Sequence, residues 1–148
     1  MQEKCKRGEV RGSAEGFTLI ELMIVVAIVA LLATVAYPSY VKHIARSNRA
    51  AAESFMFEVS SRQERYLVDA RQYAPDMTTL VMNVPTSVSN SYTVTIINVT
   101  ATPPGYTVQA APVGVQATND AMCGTLTLDS TGNKTASGPG GVSACWKG

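Results

Sequence analysis

Catalytic side chains are scarce in this chain. Its 148 residues include one His, three Cys and one Trp, and no C-x-x-C pair, G-x-S-x-G elbow or Gly-rich phosphate loop occurs. Nothing pairs a nucleophile with a base, so the sequence argues against an enzyme and names no cofactor. A charge excess is missing too: 12 Lys+Arg against 11 Asp+Glu leave a formal +1. That balance lacks the strongly basic surface of a non-specific nucleic-acid binder and argues against nucleic acid as a partner. Charge is nearly absent from two stretches. Leu22 to Val41 holds none in twenty residues, and beyond Tyr73 only Asp76, Asp120, Asp129, Lys134 and Lys147 are charged.

Apolar residues are plentiful, at 46% hydrophobic, but unevenly placed. Residues 1–16 are polar, with Lys4, Lys6, Arg7 and Arg11 against Glu3, Glu9 and Glu15, and read as an address rather than a fold. Residues 17–37 follow as an apolar run that would make a helix of about 30 Å, enough to cross a bilayer. Its one charge is Glu21. An acid inside a spanning segment costs roughly 2.5 to 3.5 kcal/mol at the helix centre and less near an end. Thr18-x-x-Glu21 also fits a capping box, which gives the carboxylate a purely structural role. A conventional signal peptide cut after Ala36 is a rival reading, though its apolar region would be long and would contain a charge.

The run Gly16-Phe17-Thr18-Leu19-Ile20-Glu21-Leu22 resembles the processing signature of type IV pilins and their type II secretion relatives. The resemblance implies that a prepilin peptidase cuts after Gly16, that the new Phe17 amine is methylated, and that Glu21 serves assembly. The sixteen-residue leader, with three acids, is longer and less basic than in many relatives.

Pro38 should kink or interrupt the helix near Ala36 or Tyr37. Helical periodicity then resumes, with Ala45, Ala52, Phe55, Val59, Tyr66 and Ala70 on one stripe. Lys42, Arg46, Arg49, Glu53, Glu58, Arg62, Glu64 and Arg65 fall on other faces and read as solvated surface. Together these predict one helix from 17 to about 71. Period-two runs at 92–96, 106–110 and 125–128 predict half-buried strands, with turns at 102–105 and 129–133 and a bulge at Ile96–Ile97. The segment 137–141 is too rich in Gly and Pro to hold itself by packing, so a Cys123–Cys145 bridge is expected around it. Zinc is the weaker reading of that pair, because the single His43 is remote and a structural site needs four ligands.

The expected fold class is therefore α+β: a long N-terminal α-helix packed on an antiparallel β-sheet. The expected divisions are a leader at 1–16, a transmembrane and assembly helix at 17–41, an amphipathic helix of the head at 42–72, and a loop, sheet and disulfide-bounded C-terminal region at 73–148. The segments 106–108, 123–132 and 145–146 look like PilE-like minor pilins, and the resemblance implies the pilin fold. It further implies a filament subunit serving pilus biogenesis, twitching motility and adhesion. The implied partners are other pilin subunits, the prepilin peptidase and the inner-membrane assembly machinery. The chain would lie single-pass in the inner membrane before assembly and in an extracellular pilus afterwards. A DNA-uptake competence pilin and a type II secretion pseudopilin are the alternatives. The first would need head bases beyond Lys134 and Lys147, and the second more often uses calcium than a disulfide.

Overall fold

The computed structural model describes residues 16–146. Cys5, Lys147 and the expected leader up to residue 15 lie outside the described residues. Two compact units meet in the chain, one ending at Tyr37 and the other beginning at Pro38. A single helix, α1 (Leu19–Ala70), runs through both. Pro38 lies inside it and does not end it. The helix therefore tolerates the lost amide donor, and of the kink or interruption expected near Ala36 or Tyr37, the interruption is absent. At the far end Arg71 adopts φ 55°, and its N–H bonds the Leu67 carbonyl at 2.9 Å, a left-handed closure of the last turn.

The head begins with the second half of α1 and continues through α2 (Thr86–Ser89), β1 (Tyr92–Ala101), β2 (Pro104–Pro112), α3 (Val115–Asn119), β3 (Leu126–Asp129), β4 (Lys134–Ala136) and α4 (Gly141–Cys145). The strands form one antiparallel sheet in the order β1-β2-β3-β4. Alternation places Tyr92 and Val94, then Tyr106, Val108 and Ala110, then Leu126 and Leu128 on the inner face. They pack in one core with Ala52, Phe55, Met56 and Val59 of α1. The bulge falls slightly later than expected. Ile97 pairs Thr107 and Thr100 pairs Gly105, with Asn98 at φ 54° taking up the extra residue.

Two details of the helix stripe differ from expectation. Ala70 is exposed and Tyr66 half-buried, whereas Arg49 and Glu53 are buried, at 8% and 3% exposure. Arg49 could leave water because Asp120 faces it: its Nη1 donates both to Asp120 Oδ1 and to Cys123 Sγ, the latter at 3.0 Å. Glu53 stands 3.7 Å from Arg49 Nε. The other Asp120 oxygen accepts from the Tyr92 hydroxyl at 2.9 Å, and burial pushes that phenol well up, so it stays a neutral donor. Gln116 Nε2 donates to the Ala45 carbonyl at 2.9 Å, which stitches α3 to α1.

The bridge Cys123–Cys145 is present, with Cα atoms 5.4 Å apart. Closing 22 residues stabilises the head by about 3 kcal/mol in the chain-entropy model. The glycine-rich segment it encloses is also held by backbone bonds. Ser137 N–H reaches the Thr125 carbonyl at 2.9 Å, Gly138 N–H that of Cys123 at 2.9 Å, and Gly140 N–H that of Met122 at 2.8 Å. The approach is close enough that a Cβ on Gly138 would meet the Met122 oxygen at 2.3 Å. Trp146 closes the region over the short edge strand: its Nε1 donates to the Thr135 carbonyl at 2.9 Å.

Removing one member of a buried ion pair leaves the other without compensation. Arg49→Met should therefore lower the unfolding free energy of the detergent-solubilised chain by about 3 kcal/mol in urea titration. Adding Asp120→Asn, which removes the orphaned charge, should recover part of that loss. A single variant within ~0.5 kcal/mol of the parent would show the pair to be energetically idle.

Asp129 caps the β3–β4 turn, accepting from the Thr131 hydroxyl at 2.6 Å, the Thr131 amide at 2.9 Å and the Asn133 amide at 2.9 Å. The Thr131 hydroxyl, aided by those amides, holds its carboxyl below the usual range. A depressed folded-state pKa contributes stability above the unfolded value of about 3.9, and that contribution is lost as pH falls through the folded value. The gap in urea midpoint between the parent and Asp129→Asn should accordingly be widest near neutral pH and close below about pH 4.

Candidate processing and assembly site

The helix start is built from Thr18. Its hydroxyl oxygen accepts from the Glu21 N–H at 3.3 Å and its carbonyl from the Leu22 N–H at 3.2 Å, so the threonine satisfies the first free amides of α1. A full capping box would also return the Glu21 carboxylate to the Thr18 N–H. That return bond is not made. Among the described residues no group bonds the Glu21 side chain, which stands exposed on α1 four residues after Phe17. Gly16 and Phe17 precede the helix outside any regular element, both are exposed, and Phe17 is 82% exposed.

Every residue from Gly16 to Tyr40 is exposed, including the large apolar side chains of Leu19, Ile20, Leu22, Met23, Ile24, Val25 and Val26. An apolar surface of this length cannot remain in water. The segment is long and apolar enough to cross a membrane, and none of its most apolar window is buried by the rest of the chain. Glu21 is its one charge.

The sequence-derived residues thus fall into two groups. Gly16, Phe17 and Glu21 share the helix start, Pro38 lies within α1, and Cys123 and Cys145 are bridged in the head. Among the described residues no cluster of three His, Cys, Asp or Glu side chains could hold a metal ion. Sequence reasoning missed the polar network of Arg49, Asp120, Gln116 and Tyr92. One signal was available: Asp120 is the one acid between Asp76 and Asp129 in a nearly uncharged head, and such an acid calls for a partner.

Comparison with known proteins agrees with this arrangement. The prokaryotic N-terminal methylation motif matches residues 11–37. The family described as type IV minor pilin ComP, DNA uptake sequence receptor, matches residues 38–127. Type IV wide pilus major component PilA4 of Thermus thermophilus is 33% identical over 69 residues, 47% of this chain and 53% of that protein. Type IV major fimbrial protein FimA of Dichelobacter nodosus is 46% identical over 65 residues, 44% and 41% of the two chains. Type IV major pilin protein PilA of Myxococcus xanthus is 41% identical over 59 residues, 40% of this chain and 27% of that one. The chain thus matches only about a quarter to a half of the length of these curated relatives. In fold it matches a type IV pilin from Shewanella oneidensis at TM-score 0.53 and 21% identity, covering 70% of this chain and 99% of that one. The methylation motif at the helix start and the family match across the head together make this chain a type IV pilin, a member of the ComP minor pilin family.

Proposed function

We propose that this pilin is inserted single-pass in the inner membrane through residues 17–41, cut after Gly16 by a prepilin peptidase, methylated at Phe17 and drawn by the inner-membrane assembly machinery into an extracellular filament. The filament would serve pilus biogenesis, twitching motility and adhesion, with Pro38 as a bend in α1. One observation carries the assembly step. Thr18 alone caps the helix, so the Glu21 carboxylate is left over on a surface otherwise apolar. Cleavage would create an amine at Phe17 with an ordinary pKa of about 8, positive near neutral pH. In a low-dielectric bundle an unpaired charge costs several kcal/mol, while a matched pair offsets much of its own desolvation. Glu21 of one subunit would therefore pair with the Phe17 amine of its neighbour.

Intact mass should show the processed chain to begin at Phe17, and both Glu21→Gln and Glu21→Ala should be cleaved as the parent is. Recovery of either in sheared filaments should fall by about tenfold or more, since a hydrogen bond to a charged group contributes roughly 1.5–3 kcal/mol. Normal incorporation of both would sink the pairing mechanism. A product beginning at Tyr37 would sink the processing scheme itself.

A second reading, a role in DNA uptake, is favoured by the description of the family that the head matches. The charge count points the other way, because Lys134 is the one base beyond Tyr73 among the described residues. Exposed bases do stand on α1 at Lys42, Arg46, Arg62 and Arg65, and Arg71 follows the helix. Contact through so few bases would be weak and steeply salt-dependent. Binding of duplex DNA by the purified chain should fall as salt rises, and Lys134→Gln should lower the salt slope by about one. An absence of binding at low ionic strength, with natural transformation unchanged in cells lacking the chain, would dismiss this role.

A further inference from the structure

The first turns of the head carry exposed cations that the buried network does not use. From Pro38 to Ala52 the chain contains no acid, yet it holds Lys42, His43, Arg46 and Arg49. Arg49 is occupied by Asp120 and Glu53, both buried, whereas Lys42 and Arg46 are exposed. These two cations lie one helical turn apart and line a shallow groove with Met122 and Ala144; Met122 is 60% exposed. Tyr40 and Ile44, also one turn apart, are exposed on the opposite side of the helix and put an aromatic ring and an aliphatic side chain at the same level of the chain. The acid lining this groove is Asp120, and Glu53 lines the adjoining hollow beside Arg46; each already has Arg49 beside it.

We propose that this surface docks on the anionic headgroups of a phospholipid bilayer before assembly. Lys42 and Arg46 would meet lipid phosphates, with Tyr40 at headgroup depth. Charge complementarity is one argument: two exposed bases with no exposed acid within their own stretch of helix suit a negative surface. Continuity is the other. Lys42 is five residues and Arg46 nine beyond Tyr37, so the chain itself keeps both close to the end of the apolar run. An exposed aromatic followed by bases is the composition of an interfacial anchor. The inference rests on insertion of residues 17–41 in a membrane, and gives the head a resting contact that must be released on entry into a filament.

Outside the leader the chain has three lysines, Lys42, Lys134 and Lys147, so amine footprinting is clean. The full chain is reconstituted in nanodiscs of phosphatidylcholine, with or without phosphatidylglycerol, and acylated with a water-soluble succinimidyl ester. Mass spectrometry then gives the rate at each lysine. Lys42 should react severalfold more slowly in the anionic discs, Lys134 equally in both, and the difference should shrink in high salt and in Arg46→Gln. Lys134 serves as the control for folding of that variant. Equal Lys42 rates in the two discs would overturn the proposal, as would protection by inorganic phosphate alone or protection lost on dilution of the chain among discs, the mark of a second copy. A chain that stays out of the disc fraction would overturn membrane insertion and this inference with it.

Discussion

One helix has to be stable in two solvents. The 52 residues of α1 form a single hydrogen-bonded ladder, but its first half presents apolar side chains on every side and its second half only a stripe. Intrahelical bonding is what permits this: a helix satisfies its own backbone, so it can occupy lipid, a bundle of like helices or the surface of a sheet without change of secondary structure. The sheet is needed for the second half alone. Its inner face covers Ala52, Phe55, Met56 and Val59, and the remaining elements follow from covering that stripe.

The C-terminal region is tied to the helix by polar contacts as well as by apolar ones such as Trp146 on Phe57. Gly138 and Gly140 bring no side chain to bury, so position there comes from backbone bonds to the 122–125 segment and from the disulfide. That segment is tied in turn to α1 by Arg49, which reaches Asp120 and the Cys123 sulfur together. A buried ion pair is weak evidence for stability, since hydrophobic replacements often do as well, but it discriminates strongly against misplacement. Shifted along the helix by one residue, the loop would leave Asp120 buried without its counter-charge, while Arg49 would keep only Glu53. The pair thus fixes where the loop sits.

Much of this was legible in the chain. Strand alternation at 92–96, 106–110 and 125–128 named the correct inner face because the Thr residues lie so regularly between apolar ones. The helix start was legible in Thr18 and the bridge in the isolation of two cysteines. The strand β4 was hidden, because Lys134-Thr135-Ala136 is short, polar and indistinguishable from the turn before it. Arg49 and Glu53 were misplaced for a different reason. A charged pair four residues apart on a helix looks the same whether water or Asp120 answers it, and Asp120 lies 71 residues away in sequence. Helical periodicity reports which residues are apolar, and a buried charge is invisible to it until its partner is known.

The same limit bears on Glu21. Its neighbourhood, Thr18-x-x-Glu21 before an apolar run, fits a capping box, and only geometry separates that from a carboxylate kept for another purpose. The cap is half made: Thr18 accepts the Glu21 amide and nothing returns the carboxylate to Thr18. Capping therefore needs the threonine and not the acid. An acid near the end of a spanning helix still carries an insertion cost, smaller than the roughly 2.5 to 3.5 kcal/mol at the bilayer centre but of the same sign. A residue that weakens insertion and does not complete the cap has to be accounted for by a state in which its charge is answered. Within one chain the nearest source is the amine that cleavage would create at Phe17. A helical turn separates the two, but the amine precedes the helix, so a pair within one chain would have to order Phe17 and desolvate both groups at once. Between chains, as proposed above, the packing of apolar helices would order and dry the site by itself, and the charge pair would then set the axial register at which one helix lies against the next.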